Sequence, residues 1–230
     1  MVAISHLVLV LSAIASSLAA PSPVQKRGPH NFVMGPDHPL MQAKRNLTMS
    51  RRASTDYNQD YTTGGTVYFA PASGEFYVSW DTTDDFVVGV GWNPGSTEPI
   101  THAGSFNVDS GLASLSVYGW TTNPLVEYYI MDDVVNIDQT GTQKGTVYSD
   151  GATYTIWENE RINEPSIEGT STFNQYISIR DSSSISGTVT VENHFNAWKN
   201  VGMDLGTLNF QVIAVESWDG SGNCYQTVAN

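Results

Sequence analysis

One pattern constrains this chain more than any other. From Ala53 onward, short runs rich in β-branched and aromatic residues alternate with turns. The runs are Thr66–Phe69, Glu75–Trp80, Phe86–Trp92, Leu112–Tyr118, Leu125–Met131, Lys144–Val147, Thr153–Glu158, Ser171–Arg180, Thr188–Val191 and Leu208–Val215. Pro71-Ala72-Ser73-Gly74, Asn93-Pro94-Gly95 and Ser149-Asp150-Gly151 read as turns between them. This spacing predicts one all-β domain, a sandwich or jelly roll. One segment, ENHFNAWKNVGMDLG at 192–206, breaks the pattern. Phe195, Trp198 and Val201 recur there at three-residue spacing and Gly202 stands near the stop, which predicts a single amphipathic helix packed on the sheet.

The first 52 residues have a different character. Residues 2–19 are almost wholly apolar or small and lead to Pro21-Ser22-Pro23, as in a secretory signal peptide cleaved after Ala19. The run is short for a membrane span, so no membrane partner is expected. Residues 20–52 carry Lys26, Arg27, Lys44, Arg45, Arg51 and Arg52 against one acid, Asp37. The dibasic pairs suggest a propeptide removed after Arg52, and a basic linker is the plainer alternative. Asn46-Leu47-Thr48 has the form of an N-glycosylation acceptor. The expected order is signal peptide 1–19, propeptide 20–52 and folded domain 53–230, secreted from the cell.

The chain has 10 basic and 23 acidic residues; six of the bases and one acid precede Ala53, leaving 4 against 22, a net of −18 for the domain. Such a domain repels nucleic acid and anionic membranes and suits a neutral substrate. Its only cysteine is Cys224, so there is no intrachain disulfide and no cysteine metal site. Neither a metal nor a cofactor is expected.

Two strands carry an unexpected acid. In NPLVEYYIMDD (123–133), Leu125, Glu127, Tyr129 and Met131 share a face, opposite Val126, Tyr128 and Ile130. In NFQVIAVESW (209–218), Phe210, Val212, Ala214, Glu216 and Trp218 do the same. Glu is depleted in strands. Two opposed carboxylates, one ionised and one protonated, are what glycosidic cleavage needs, and a separation of about 5–5.5 Å gives retention of configuration. Taken alone, the pair is a weak signal in a chain so rich in acids.

VYGWTTNPLVEYYI (117–130), PSIEGTSTFNQY (165–176), NHFNAWKNVGM (193–203) and VIAVESW (212–218) resemble the motifs of the glycoside hydrolase family 11 endo-β-1,4-xylanases. The resemblance runs from about Thr66 to Val228. It implies a single β-jelly roll of two curved antiparallel sheets with one α-helix, bent like a partly closed hand with xylan in the palm, and a monomeric enzyme. The family's nucleophile falls on Glu127 and its acid/base on Glu216. Its cleft tyrosines match Tyr118 and Tyr129, the latter expected to bond the nucleophile or the sugar. Arg161 and Gln175 match polar cleft residues. Pro165-Ser166-Ile167 matches the tip of a mobile thumb. Trp218 stands where the family has an aromatic after the acid/base. Asp85, in DDFVVGVGW (84–92), falls beside the acid/base, where aspartate goes with acidic optima in the family; Val87, Gly89 and Gly91 share its face and are expected to leave room in the cleft.

Three departures matter. DYNQDYTTGG (56–65) replaces the family's usual aromatic first strand, as in its acid-adapted subgroup, leaving Tyr57 or Tyr61 to stack on a sugar. Asp132 replaces a usual glutamate, which puts the cleft edge in question. Ser217 follows the acid/base where Gly or Ala is preferred, which threatens crowding of the site. Two other functions remain open at this stage: a β-1,4-glucanase on a similar jelly roll, and a catalytically weak homologue that binds xylan or is sensed by a plant host.

Overall fold

The computed structural model describes residues 54–139 and 141–230. The signal, propeptide and Asn46 assignments lie outside the described residues.

Among the described residues, eleven strands and one helix follow in order. They are β1 (Tyr57–Thr62), β2 (Thr66–Ala72), β3 (Glu75–Thr82), β4 (Phe86–Trp92), β5 (Ile100–Thr122), β6 (Val126–Val135), β7 (Thr142–Ser149), β8 (Ala152–Ser166), β9 (Gly169–Arg180), β10 (Ser186–Val189), α1 (Val191–Asn200) and β11 (Thr207–Ala229). The main path runs β1-β4-β11-β5-β6-β9-β8-β7, with β3 on β11, β2 on β3 and β10 on β5. Every pairing is antiparallel except β6 with β9.

The two 23-residue strands, β5 and β11, hold the fold together. β11 pairs with β4 over Gln211–Ser217 and with β3 over Gly220–Thr227, while β5 lies along its other edge throughout. The sheet therefore bends over on itself where register slips between Glu216 and Asp219. Gly111 and Gly220 face each other at that bend, with φ of +75° and +130°. A Cβ on Gly111 would stand 2.0 Å from the Asp219 carbonyl oxygen, so only glycine fits. Proximity in sequence does not reveal this bend, and the expected strands at 112–118 and 208–215 are only the halves of β5 and β11 that line the cleft.

Two apolar layers result. Phe76, Val78 and Trp80 of β3 close on Phe86, Val88 and Val90 of β4 and on Val126, Tyr128 and Ile130 of β6 to form the main core. The Trp80 and Phe86 ring centroids are 5.7 Å apart. The cleft-side residues of β4, β5, β6, β9 and β11, among them Val87, Tyr118, Trp120, Tyr129, Met131, Phe173, Val212 and Ala214, form a second cluster on the concave side. Strands covered on both faces are apolar on both, which is why the acids Glu127 and Glu216 stand out in the sequence.

The helix is shorter than 192–206. Gly202, at φ +80°, caps it. The Gly202 N–H donates to Lys199 O and the Met203 N–H to Trp198 O, a Schellman pattern that turns the chain away toward β11. Trp198 is fully buried, donates from Nε1 to Ser178 Oγ at 2.9 Å, and packs on Tyr128, Tyr176 and Phe195. His194 is also fully buried, and burial holds its pKa down to about 4.

Asp132 does not touch the cleft. Strand alternation turns it to the core side, where Oδ2 meets His102 Nε2 at 2.9 Å and Oδ1 accepts from Tyr154 at 2.6 Å. The cleft edge is therefore independent of it. Ser217 likewise points away from the cleft: it is fully buried and donates to the Leu112 carbonyl oxygen at 2.6 Å. It fastens the bend of β11 and crowds nothing.

Candidate active site

The concave face holds a cleft of about 340 Å3. Glu127 and Glu216 both line it, from β6 and β11, strands that flank β5 on either side. Asp85, Tyr118, Tyr129, Arg161, Pro165, Ser166 and Gln175 line the same cleft. The expected residues are thus brought together from six separate segments. A second compartment continues past Asp85, Tyr129, Arg161, Gln175 and Glu216 to Trp218, Asp138 and Asn159. Trp218 belongs only to that far side, where its indole is 41% exposed.

The two glutamates have different surroundings. Glu127 is 8% exposed. Tyr118 donates to its Oε1 at 2.9 Å and Gln175 to its Oε2 at 2.7 Å. Trp120 Nε1 in turn donates to the Tyr118 hydroxyl at 2.7 Å, fixing its direction. Burial raises the Glu127 pKa, while the bonds from Gln175, Tyr118 and Tyr129 and the Arg161 charge pull it back. Glu216 has only a long 3.5 Å contact from the Tyr129 hydroxyl. Its carboxyl opens to the cleft but is ringed by protein. Burial first, then the charges of Glu127 and Asp85, hold its pKa well above the usual carboxylate range. Both carboxyls are thus held above the usual carboxylate range, Glu216 further than Glu127, so Glu216 keeps its proton to higher pH. Such a split marks the base or nucleophile and the acid of a pair.

The closest tyrosine on Glu127 is Tyr118 rather than Tyr129. Register explains this: Trp120 lies opposite Glu127 and Tyr118 opposite Tyr129, so the Tyr118 ring reaches diagonally across to Glu127. Tyr129 stands between the two acids. Asp85 precedes β4, whose Val87 pairs with Glu216. Its Oδ1 is buried without a hydrogen-bond partner, and burial raises its pKa against the pull of Arg161. Gly89 and Gly91 do not leave space in the cleft as expected. A Cβ on either would stand 2.1 Å or 2.0 Å from a carbonyl oxygen of β11, so these glycines admit the close neighbour strand.

The N-terminal segment forms β1, an unexpected edge strand paired with β4. Both candidate tyrosines line the cleft. The Tyr57 ring is stacked on Phe210 at 4.8 Å, and Tyr61 leaves 37% of its surface open. Gln59, Trp120, Glu164, Phe173 and Phe210 also line the cleft and were not singled out from sequence. Alternation along β5 would have paired Trp120 with Tyr118; nothing local marks Gln59 or Glu164. β8 and β9 form the thumb hairpin, with Pro165 opposite Thr170 and Ser166 opposite Gly169. Ser166 Oγ donates to Gly169 O at 2.6 Å and accepts from Glu168 N at 3.0 Å, closing the tip tightly.

The family model for glycosyl hydrolases family 11 matches residues 53–227. The chain belongs to that family. Endo-1,4-beta-xylanase 1 of Hypocrea jecorina is 56% identical over 240 residues, covering all of both chains. Ethylene-inducing xylanase 2 of Botryotinia fuckeliana is 55% identical over 230 residues, again covering both chains fully. A solved structure from a comparison of the two major endo-1,4-beta-xylanases of Trichoderma reesei is 63% identical, with a TM-score of 0.77, covering 77% of this chain and all of that one. This family 11 fold is mostly strand with one helix, a curved sheet closing over the cleft that holds both glutamates.

Proposed function

We propose that the protein is a secreted endo-1,4-β-xylanase, made with a signal peptide and a propeptide, that cleaves internal β-1,4-xylosidic bonds with retention. The unequal surroundings of Glu127 and Glu216 in one cleft carry this reading, together with the xylanase relatives. Glu127, ionised and aimed by Tyr118 and Gln175, attacks the anomeric carbon. Glu216 gives its proton to the leaving oxygen, and the glycosyl-enzyme forms. Glu216, now ionised, then takes a proton from water, which releases the sugar with its original configuration. Arg161 faces Glu127, Glu216 and Asp85 and offsets part of their charge. Release of reducing ends from xylan, and none from carboxymethylcellulose, is the expected result with purified protein. Binding of xylan without release would favour the weak homologue instead, though Asp132, buried away from the cleft, no longer argues for it.

Asp85 sets an acidic optimum on this reading. A protonated Asp85 can donate a hydrogen bond to Glu216; an ionised one cannot. Activity then falls when the Asp85–Glu216 pair loses its first proton, a loss that belongs to the pair. The charge of ionised Asp85 acts the other way, raising Glu216. The family's association of aspartate with acidic optima favours the first effect. Asp85→Asn, which donates at any pH, is expected to move the kcat/KM profile toward neutrality with a lower peak. Superimposed profiles for the two proteins would remove Asp85 from this role.

The thumb acts as a lid. Its tip, Pro165-Ser166-Ile167, lines the cleft from a hairpin end outside both apolar clusters. Segments with few core contacts open most easily. Ser166-Ile167 replaced by Gly-Gly is expected to slow xylan hydrolysis while thermal melting stays nearly unchanged. Equal kinetics in the two proteins would leave the lid without support.

A further inference from the structure

On the core side of the sheet, side chains from five strands meet in a buried polar cluster that the reaction does not use: His102 of β5, Asp132 of β6, Tyr154 of β8, Arg180 of β9 and Gln226 of β11. Its place matters to the site. Glu127 pairs with Gln175 in the parallel β6–β9 ladder, which ends at Met131 and Ile179. Asp132 and Arg180 are the next residues along those two strands. Tyr154 bridges them: its hydroxyl donates to Asp132 Oδ1 at 2.6 Å and accepts from Arg180 Nη1 at 2.9 Å. The loop from β9 to β10 is tied to the same groups. The Ser184 N–H donates to the Asp132 carbonyl oxygen at 2.8 Å, and Arg180 Nε to Ser182 O at 2.8 Å.

His102 closes the cluster. Its Nε2 meets Asp132 Oδ2 at 2.9 Å and its Nδ1 meets Gln226 Oε1 at 3.2 Å. The orientation of the Gln226 amide is fixed, because its Nε2 donates to the Ile185 carbonyl oxygen at 3.3 Å. Both ring nitrogens therefore face acceptors. A neutral imidazole carries one N–H and one lone pair. Placed here, it would turn the lone pair on the Asp132 carboxylate or on the Gln226 oxygen. Reversing the amide only moves the conflict, setting Gln226 Oε1 against Ile185 O. His102, Asp132 and Gln226 are 2%, 3% and 0% exposed, so bulk water does not relieve the mismatch. A ring with both protons satisfies every contact at once.

We propose that His102 is a pH-sensitive clamp on the β6–β9 pairing and the β9–β10 loop, closed in acid when both ring nitrogens carry protons and loosened as the ring loses one of them at higher pH. The sign follows from the partners. A group that the fold accepts in its protonated form stabilises the fold in acid and ceases to do so as pH rises. For histidine that change falls between about pH 5 and 8. The Asp132 carboxylate and the Arg180 guanidinium are the charges facing the cluster, and two further titratable groups lie against it. Burial, then the Asp132 charge, keeps Tyr154 protonated. His194 of α1 packs edge-on against the Tyr154 ring with centroids 4.5 Å apart, and burial holds its pKa down to about 4.

The test is thermal melting of the full chain from pH 5 to pH 8, set against two variants that keep all of its acids. His102→Gln removes the titrating ring. The unmodified protein is expected to lose about 3–6 °C more in Tm over this range than His102→Gln, which corresponds to about a tenfold greater fall in the folding constant. Gln226→Met keeps the volume and removes the acceptor opposite Nδ1, so it should flatten part of the slope while the His102–Asp132 contact remains. Parallel slopes in all three proteins would overturn the clamp. If His102→Gln does not fold, the ring of the unmodified protein decides. Correlation spectra of protein labelled with 15N-histidine should show a proton on each nitrogen of His102 at pH 6, the ring being identified as the one whose signals move in Gln226→Met. A single proton there would overturn the inference. Neither readout uses a substrate, so failure of the xylanase reading would leave both standing.

Discussion

Glu127→Gln and Glu216→Gln are each expected to nearly abolish xylan hydrolysis with the fold intact. The Glu216 change removes a proton donor, a loss of at least about 100-fold. The Glu127 change removes the attacking charge and leaves almost nothing. Glutamine keeps the shape in both cases. At Glu127 it also keeps an acceptor oxygen for one of the two short bonds from Tyr118 and Gln175. The roles separate by leaving group. An aryl xyloside that departs without protonation should restore the first step in Glu216→Gln and not in Glu127→Gln. Equal rescue of both would show the assignment to be reversed or shared. Proton NMR of the first product should show the β-anomer, and an initial α-anomer would contradict double displacement.

Trp198→Ala is expected to destabilise the domain by about 3–5 kcal/mol, the range for removing a buried large aromatic. For a domain of this size that lowers Tm by roughly 6–20 °C. The indole is fully buried, touches Tyr128, Tyr176 and Phe195, and satisfies Ser178. Its loss leaves a cavity and an unpaired buried hydroxyl. Tyr128 and Tyr176 are neighbours in sequence of Glu127 and Gln175, on the reverse face of β6 and β9. The cavity therefore opens directly behind Glu127 and its donor Gln175. Trp198→Phe, which keeps most of the ring, should fall between the alanine variant and the unmodified protein. Thermal melts followed by circular dichroism measure the series, and a shift under about 3 °C for alanine would mean the helix is not a main support of the sheet.

The all-β class and the single helix were legible in the sequence because each depends on periodicity within one segment; alternation marked Glu127 and Glu216 as anomalous strand acids, and the roles proposed for them came from motif resemblance. A glutamate among strand residues that are apolar on both faces is anomalous wherever its strand ends up. The cleft tyrosines, Arg161, Gln175 and the thumb came from motif resemblance, which carries tertiary information that one strand does not. Where the reading relied on sequence neighbours alone it misplaced side chains. Asp132 and Ser217 stand close to the site in the chain, yet alternation turns both into the core. Gly89 and Gly91 looked like room in the cleft and instead admit a neighbouring strand.

The sequence by itself determined which strands carry anomalous acids, since that follows from side-chain type and strand period. Only the tertiary structure decided how unequally the two carboxyls are surrounded. Glu127 and Glu216 both follow a valine in an otherwise apolar strand, and nothing local sets their pKa values apart. The difference comes from donors on other strands: Tyr118 from β5 and Gln175 from β9 reach Glu127, whereas Glu216 meets one long contact and the charges of Glu127 and Asp85. Those neighbours exist only because β5 and β11 bend together at Gly111 and Gly220 and bring strands distant in sequence side by side. Desolvation and charge coupling act through space over a few ångströms, and the linear order of residues does not encode such distances.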